Sequence, residues 1–243
     1  MRRLVDLALS ALGWLGFNAV TLWTIAFLAD EIVPRTVDGP HRVSTGKAVV
    51  IDLALLLLFA VQHSVMARPT VKTWMRRSVP PRIERTVYVL ATNACLVLTL
   101  LFWEPFGGRV WHVDGAAAVA VWILCGAGWA LAVASTFAVD HLELTGLRQA
   151  GWAEAREAGD LEVRGLHAIV RHPLMTGLLV AFWATPHLGA SHLLFAAAST
   201  GYIVVGIHFE ERDLRRHFGT AYDEYAARVP SVIPRPRRRL ARV

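Results

Sequence analysis

Apolar and polar residues alternate along this chain in long blocks rather than residue by residue. Mostly apolar blocks cover residues 4–29, 46–67, 84–103 and 116–139. Asp30-Glu31, Arg68-Pro69 and Glu104-Pro105 close the first three. A block of about 20 apolar residues matches the length of a helix that crosses hydrocarbon, so the pattern predicts four such helices. Two shorter runs follow, 173–187 and 192–209, with a break at Thr185-Pro186-His187 and Gly189. They predict a hairpin whose first arm is short for a full crossing and would tilt, bend or stop partway. Phe218-Gly219, Tyr222 and Tyr225 predict an amphipathic helix, with an exit at Val229-Pro230 and Pro234. The expected fold is an all-α integral membrane protein of four transmembrane helices, a C-terminal helical hairpin and an amphipathic helix. The expected division is a scaffold over 1–139, a catalytic unit over 140–234 and a basic tail over 235–243.

Composition agrees and adds orientation. Of 243 residues, 55% are apolar, and mean hydropathy is +0.43. The net charge of +6 would suit nucleic acid in a soluble protein. Here the basic residues flank apolar blocks, so the positive-inside rule accounts for them and no nucleic-acid partner is expected. The rule places the N-terminus, 68–85, 140–172 and the tail in the cytosol, with 31–46 and 104–115 outside. The amphipathic helix is then cytosolic, and the arginine-rich tail is expected to meet lipid headgroups. Cys95 and Cys125 lie inside apolar runs, which predicts neither a disulfide nor a metal site. The run after Met1-Arg2-Arg3 is too long for a signal-peptide core and is expected to be a helix. No HExxH, CxxC, Walker or GxGxxG motif occurs.

Several polar residues stand where chemistry is possible. Arg171-His172-Pro173 opens the hairpin. Proline suits a first helical turn, whose free N–H groups attract anions. Gly177, one turn on, would let a ligand or another helix approach. The plainer reading is a helix start with Arg and His reaching to headgroups. Glu210-Glu211 ends the second arm, and carboxylates there need water or a partner. Glu211 can pair with Arg215 at i,i+4, whereas Glu210 has no local partner, so either a cationic ligand or interfacial water would satisfy it. If the hairpin folds back, both clusters return to one face. Gln62, His63, Arg85, Tyr88, Asp140 and His141 fall at helix ends of similar predicted depth.

The ordered set Gly165, His167, Arg171-His172-Pro173, Glu210-Glu211, Leu214, Phe218-Gly219, Tyr222, Tyr225, Val229-Pro230 and Ile233-Pro234 resembles the isoprenylcysteine carboxyl methyltransferase and phospholipid methyltransferase superfamily. F-A-V-Q-H-S-V-M-A-R-P, I-E-R-T-V-Y-V-L and S-T-F-A-V-D-H-L-E-L-T-G-L-R-Q resemble its bacterial methanethiol S-methyltransferase branch. His167 stands where the broad family usually has tyrosine, and Met175 where many members do. The resemblance implies S-adenosylmethionine as cofactor, a small thiol as substrate, and a site at the cytosolic face of a bacterial cytoplasmic membrane. It maps cofactor binding to His141, Gln149, Gly165, His167, Arg171, His172, Pro173, Gly177, Glu210 and Glu211. His63, Tyr88 and His141 become candidates to take the thiol proton, with Arg85 supporting the thiolate. The absence of arginine in 201–209 suits a small neutral substrate. Alternative readings are another acceptor (a larger thiol, prenylcysteine or phospholipid), or a transporter or haem anchor without enzymatic activity. Oligomeric state is not legible.

Overall fold

A computed structural model of the chain describes residues 2–30, 33–154, 161 and 163–235. Glu31 and the basic tail beyond 235 lie outside the described residues. The order is α1 Arg2–Ala29, α2 Thr45–Met66, α3 Pro69–Met75, α4 Pro81–Phe102, β1 Arg109–His112, α5 Gly115–Val139, α6 His141–Thr145 and α7 Leu147–Ala150. A 3-10 turn at Gly165–Ala168 precedes α8 Pro173–Trp183, β2 His187–Gly189, α9 Ala190–Phe218 and α10 Thr220–Arg228. Proline opens α3, α4 and α8, where its missing N–H is no loss. Gly219, at φ 57, ends α9 in a conformation that other residues rarely adopt.

The chain is an all-α membrane protein. Among the described residues, α1, α2, α4, α5 and α9 are long and apolar enough to cross a membrane. The 22 residues of α2 and of α4 span about 33 Å at 1.5 Å per residue, close to the hydrocarbon thickness. Leu15, Leu22, Leu57, Ile123 and Leu124 are exposed on this bundle, as lipid-facing residues should be.

The hairpin departs from expectation in its second arm. The run 192–209 is the front of a 29-residue helix that continues through Glu210-Glu211 to Phe218. Glutamate and arginine propagate a helix well, so charge alone does not end it. The amphipathic helix accordingly starts after Phe218. The short β1–β2 pair and the helices α3, α6 and α7 lie in segments expected to be polar connections.

Contacts sort the connections into two ends. β1 and β2 pair antiparallel, joining the α4–α5 connection to the α8–α9 turn. From the α1–α2 connection, Asp38 accepts the N–H groups of Gly189 and His192 at 2.7 and 3.0 Å. Trp103 donates to Val37 O and to Ser191 Oγ. At the other end Arg82 meets Asp6 at 2.5 Å and Trp152 donates to Ser10 Oγ at 3.0 Å. The hairpin turn therefore reaches the far end of the bundle. The 11 residues of α8 supply about 16 Å of helix. The extended residues after it advance about 3.3 Å each and make up the remaining length.

Two contacts hold the hairpin. Phe27, Trp103, Phe182 and Phe195 form an edge-to-face cluster, with centroids 5.2–6.4 Å apart. α8 lies along α5 at Gly128, Ala132, Gly177 and Ala181. A Cβ built on Gly177 would stand 2.5 Å from Ala132 N, so its missing side chain serves this helix contact.

Candidate functional site

The start of α8 is clasped from behind by the segment that leaves α10. Arg171 N donates to Pro230 O at 2.9 Å and His172 N to Ser231 O at 3.0 Å. Thr176 Oγ1 donates to Val232 O at 2.8 Å. The guanidinium of Arg171 reaches α9, placing Nη2 2.5 Å from Glu211 Oε1, and its Nη1 meets the carbonyls of Ala226 and Val229 at the C-terminal end of α10. That end carries the negative pole of the helix dipole, which suits a guanidinium. Arg171 and Glu211 are both largely buried. Glu211 uses its other oxygen for Arg215 at 3.2 Å.

His172 stands between the two carboxylates. Its Nε2 is 3.1 Å from Glu211 Oε1 and its Nδ1 is 3.5 Å from Glu210 Oε2. Carboxylate oxygens only accept, so Nε2 carries a proton, and two carboxylates facing the ring favour its doubly protonated form. Burial works against that charge, but Glu210 and Glu211 outweigh it and raise the pKa above the usual histidine value. Glu210 remains half-exposed, with carboxylate capacity left over. A cavity of about 190 Å³ opens between Arg171, the 226–231 exit and Arg235. Arg171, His172 and Thr176 spend their N–H groups on Pro230 O, Ser231 O and His172 O and Pro173 has none, so Leu174 and Met175 carry the first-turn N–H groups that α8 itself cannot accept.

A second cluster joins α2, α4 and α9. Tyr88 Oη lies 2.8 Å from Nε2 and 2.9 Å from Nδ1 of His63. Phe59 stacks on the His63 ring at 5.2 Å. Arg85 holds its guanidinium 4.9 Å over the Tyr88 ring and donates Nε–H to Leu144 O at 2.8 Å. Tyr202 Oη is 3.2 Å from Ser64 Oγ. Tyr202 and Ser64 were not singled out in the sequence. Serine near a helix end and tyrosine inside an apolar run carry no signal until α2 and α9 are placed together.

His141 is positioned elsewhere. Asp140 turns the chain at φ 138, where L residues are strained. Its carboxylate offsets the strain by accepting Leu142 N–H and Glu143 N–H and by pairing with Arg148 at 2.6 Å. The turn tucks His141 under α1. Trp14 Nε1 can only donate, so its 2.8 Å contact identifies His141 Nε2 as the acceptor. The proton is therefore on Nδ1, which donates to Thr136 Oγ1 at 2.9 Å. Burial lowers the pKa of His141 and Asp140 opposes that only in part, in keeping with a neutral ring. Both nitrogens of His141 are thus engaged, and those of His63 face Tyr88 Oη and, from Nδ1, Thr92 Oγ1 at 3.4 Å.

The remaining candidates are accounted for as follows. Gln149 is exposed and donates to Glu143 O at 3.3 Å. Gly165, at φ 57, opens the 3-10 turn. His167 O accepts from Tyr225 Oη at 2.6 Å, which anchors that turn to α10. Among the described residues no group of three or more His, Cys, Asp and Glu is poised to hold a metal ion.

A family model described as NnrU protein matches residues 53–232, which include both clusters. Methanethiol S-methyltransferase 2 of Bradyrhizobium diazoefficiens is 43% identical over 96% of this chain and 91% of its own length. Methanethiol S-methyltransferase of Mycobacterium tuberculosis is 44% identical over 98% of this chain and 99% of its own. Nurim of Sus scrofa is 35% identical over 68% of this chain and 67% of its own. No solved structure matches the chain. With a match running from α2 to the exit segment and near full-length relatives on either side of it, the chain belongs to the NnrU protein family, in the branch that holds the methanethiol S-methyltransferases.

Proposed function

We propose that this chain is a membrane methyltransferase that moves a methyl group from S-adenosylmethionine to methanethiol, giving dimethyl sulfide. The observation that carries this reading is the near full-length identity to relatives named for methanethiol methylation. The chemistry of the first cluster fits the cofactor. Glu210 keeps a half-exposed carboxylate for an ammonium or ribose hydroxyls, and the N–H groups of Leu174 and Met175 at the start of α8 suit a carboxylate. Arg171, His172 and Glu211 hold these two features in register. When bound, S-adenosylmethionine supplies a methyl already activated on a sulfonium sulfur. The chain's part is alignment and proton removal. A small thiol is mostly protonated at neutral pH, and the thiolate is the nucleophile. His63, hydrogen-bonded to Tyr88, takes the S–H proton, and Arg85 holds positive charge beside the pair.

Charge bias supports a cytosolic location for this site in a bacterial cytoplasmic membrane. The end bearing both clusters also bears Arg68, Lys72, Arg76, Arg77 and Arg82. Residues 1–139 then form the scaffold, and 140–234 the cofactor-binding catalytic unit. Titration of S-adenosylhomocysteine into detergent-purified protein tests the reading. Binding is expected in the wild type, weakened about tenfold or more in Glu210→Gln by loss of a charged hydrogen bond. Absence of binding by the folded wild-type protein would overturn it. Binding without product from methanethiol would redirect the acceptor to larger thiols or lipids.

A further inference from the structure

The β1–β2 pair carries two histidines that the candidate site does not use. His112 and His187 are register partners across the strands, so their side chains leave the same face. Their rings are stacked, with centroids 4.4 Å apart and planes inclined by 26°. Nδ1 of one ring stands 2.6 Å from Nδ1 of the other. The backbone beneath them is fixed: Val113 N donates to Pro186 O and Trp111 Nε1 to Thr185 O, both at 2.9 Å, and Thr185 Oγ1 donates to His187 O at 2.8 Å. Glu210 lies well along α9, which begins at Ala190, just after β2, so about 30 Å of helix separates this pair from the candidate site.

Asp114 sets the protonation of the first ring. Its carboxylate lies 2.7 Å from His112 Nε2 and only accepts, so Nε2 carries a proton. In the neutral ring Nδ1 then holds a lone pair, and it faces His187. A hydrogen bond from His187 Nδ1–H satisfies that lone pair. With the His187 proton on Nε2 instead, two lone pairs meet at one point, and only a cation can accept both. Histidines that ligate a metal through one nitrogen commonly give the other N–H to a carboxylate, as His112 does here. Metal–nitrogen bonds of about 2.0–2.1 Å at a tetrahedral angle put two ligand nitrogens about 3.3 Å apart, so ligation opens the pair by about 0.7 Å. Both rings are part-exposed, which leaves room for that shift and for water at the remaining positions. Imidazole nitrogen suits zinc, copper or nickel, whereas magnesium and calcium take oxygen. The chain supplies two ligands, with Asp114 behind the His112 ring as an orienting group, in keeping with the absence of a three-ligand group among the described residues.

We infer that His112 and His187 form a surface site for a divalent transition-metal ion of the zinc, copper and nickel class, bound through the two Nδ1 atoms and tying β1 to β2. The inference depends neither on the methyl-transfer reading nor on the orientation in the membrane. It is tested by calorimetric titration of Zn²⁺ into detergent-purified full-length protein carrying a tag without histidine. One saturable equivalent per chain is expected in the wild type. It should be lost in His112→Asn and in His187→Asn and weakened about tenfold in Asp114→Asn. His41→Asn, at an exposed histidine of the α1–α2 connection, should leave it unchanged. Mg²⁺ in excess should not displace it. Zn²⁺ should also raise the thermal midpoint of the wild type and leave that of His187→Asn where it was. The histidine variants change part-exposed side chains and should keep the wild-type circular dichroism. No saturable Zn²⁺ step in the folded wild type, an unchanged step in either folded histidine variant, or displacement by Mg²⁺ would overturn the inference. Unchanged affinity in Asp114→Asn would overturn the part assigned to that carboxylate.

Discussion

Glu211 stands where three cations converge: Arg171 at 2.5 Å, His172 at 3.1 Å and Arg215 at 3.2 Å. Removing one partner of a buried pair leaves the other charge uncompensated, at a cost of about 3–5 kcal/mol. Glu211→Gln is therefore expected to lower the thermal midpoint sharply, whereas Glu210→Gln, half-exposed, should leave folding nearly unchanged and act on cofactor affinity. His172 adds a pH dependence with a defined sign. Its pKa is raised in the folded protein, so its stabilising charge is fully present below the unfolded value of about 6.5. It is lost as pH rises through the raised folded value. Thermal midpoints measured across that window should fall with rising pH in the wild type, and the slope should flatten in His172→Gln. Part of this cluster was legible in the sequence. The i,i+4 spacing of Glu211 and Arg215 is local, and Arg171-His172-Pro173 announces a helix start. The carbonyls of Pro230 and Ser231 that receive the N–H groups of Arg171 and His172 were not legible, because backbone acceptors leave no mark on residue type. The partner of His141 Nε2 was not legible either, because Trp14 lies more than a hundred positions away.

Among the elements, the α5–α8 contact depends on two glycines. A Cβ on Gly177 would press on Ala132 N at 2.5 Å, and one on Gly128 on Ala181 N at 2.7 Å. Backbone cannot swing aside as a long side chain can. Gly177→Ala should therefore cost about 1–3 kcal/mol by overpacking, read as a lower midpoint in detergent. Gly201→Ala is the control: a Cβ there meets nothing within 4 Å, and alanine should match or slightly exceed the wild type. Apolar length placed α1, α2, α4 and α5 nearly to the residue, because proline and charge mark their ends. It misjudged the end of the hairpin's second arm. Glu210-Glu211 looked like a terminus, yet carboxylates within reach of Arg171, His172 and Arg215 do not need to leave the helix. The short first arm was expected to tilt, bend or stop partway, and α8 does stop at Trp183, with extended residues carrying the chain as far as β2.

For the whole molecule, the two ends differ in charge and in architecture. One gathers the β1–β2 pair, Asp38 and the aromatic cluster around Trp103. The other gathers both candidate clusters and the basic α2–α4 connection. The proposed orientation makes the first end extracytosolic. Cys95 and Cys125 are buried, so single cysteines report with little background. Asp114→Cys should react with a membrane-impermeant maleimide on intact cells, and Arg77→Cys only after permeabilisation. The reverse pattern would invert the topology.

The central claim is that the two clusters at this end together methylate a small thiol. Headspace detection of dimethyl sulfide from purified protein supplied with S-adenosylmethionine and methanethiol tests it most directly, in wild type, His63→Gln and Tyr88→Phe. Product is expected from the wild type, with a loss of about 10²–10⁴-fold in His63→Gln if that ring takes the thiol proton, and a smaller loss in Tyr88→Phe. Absence of dimethyl sulfide from folded wild-type protein that binds the cofactor would contradict the assigned acceptor. Full turnover in His63→Gln would contradict the assigned base.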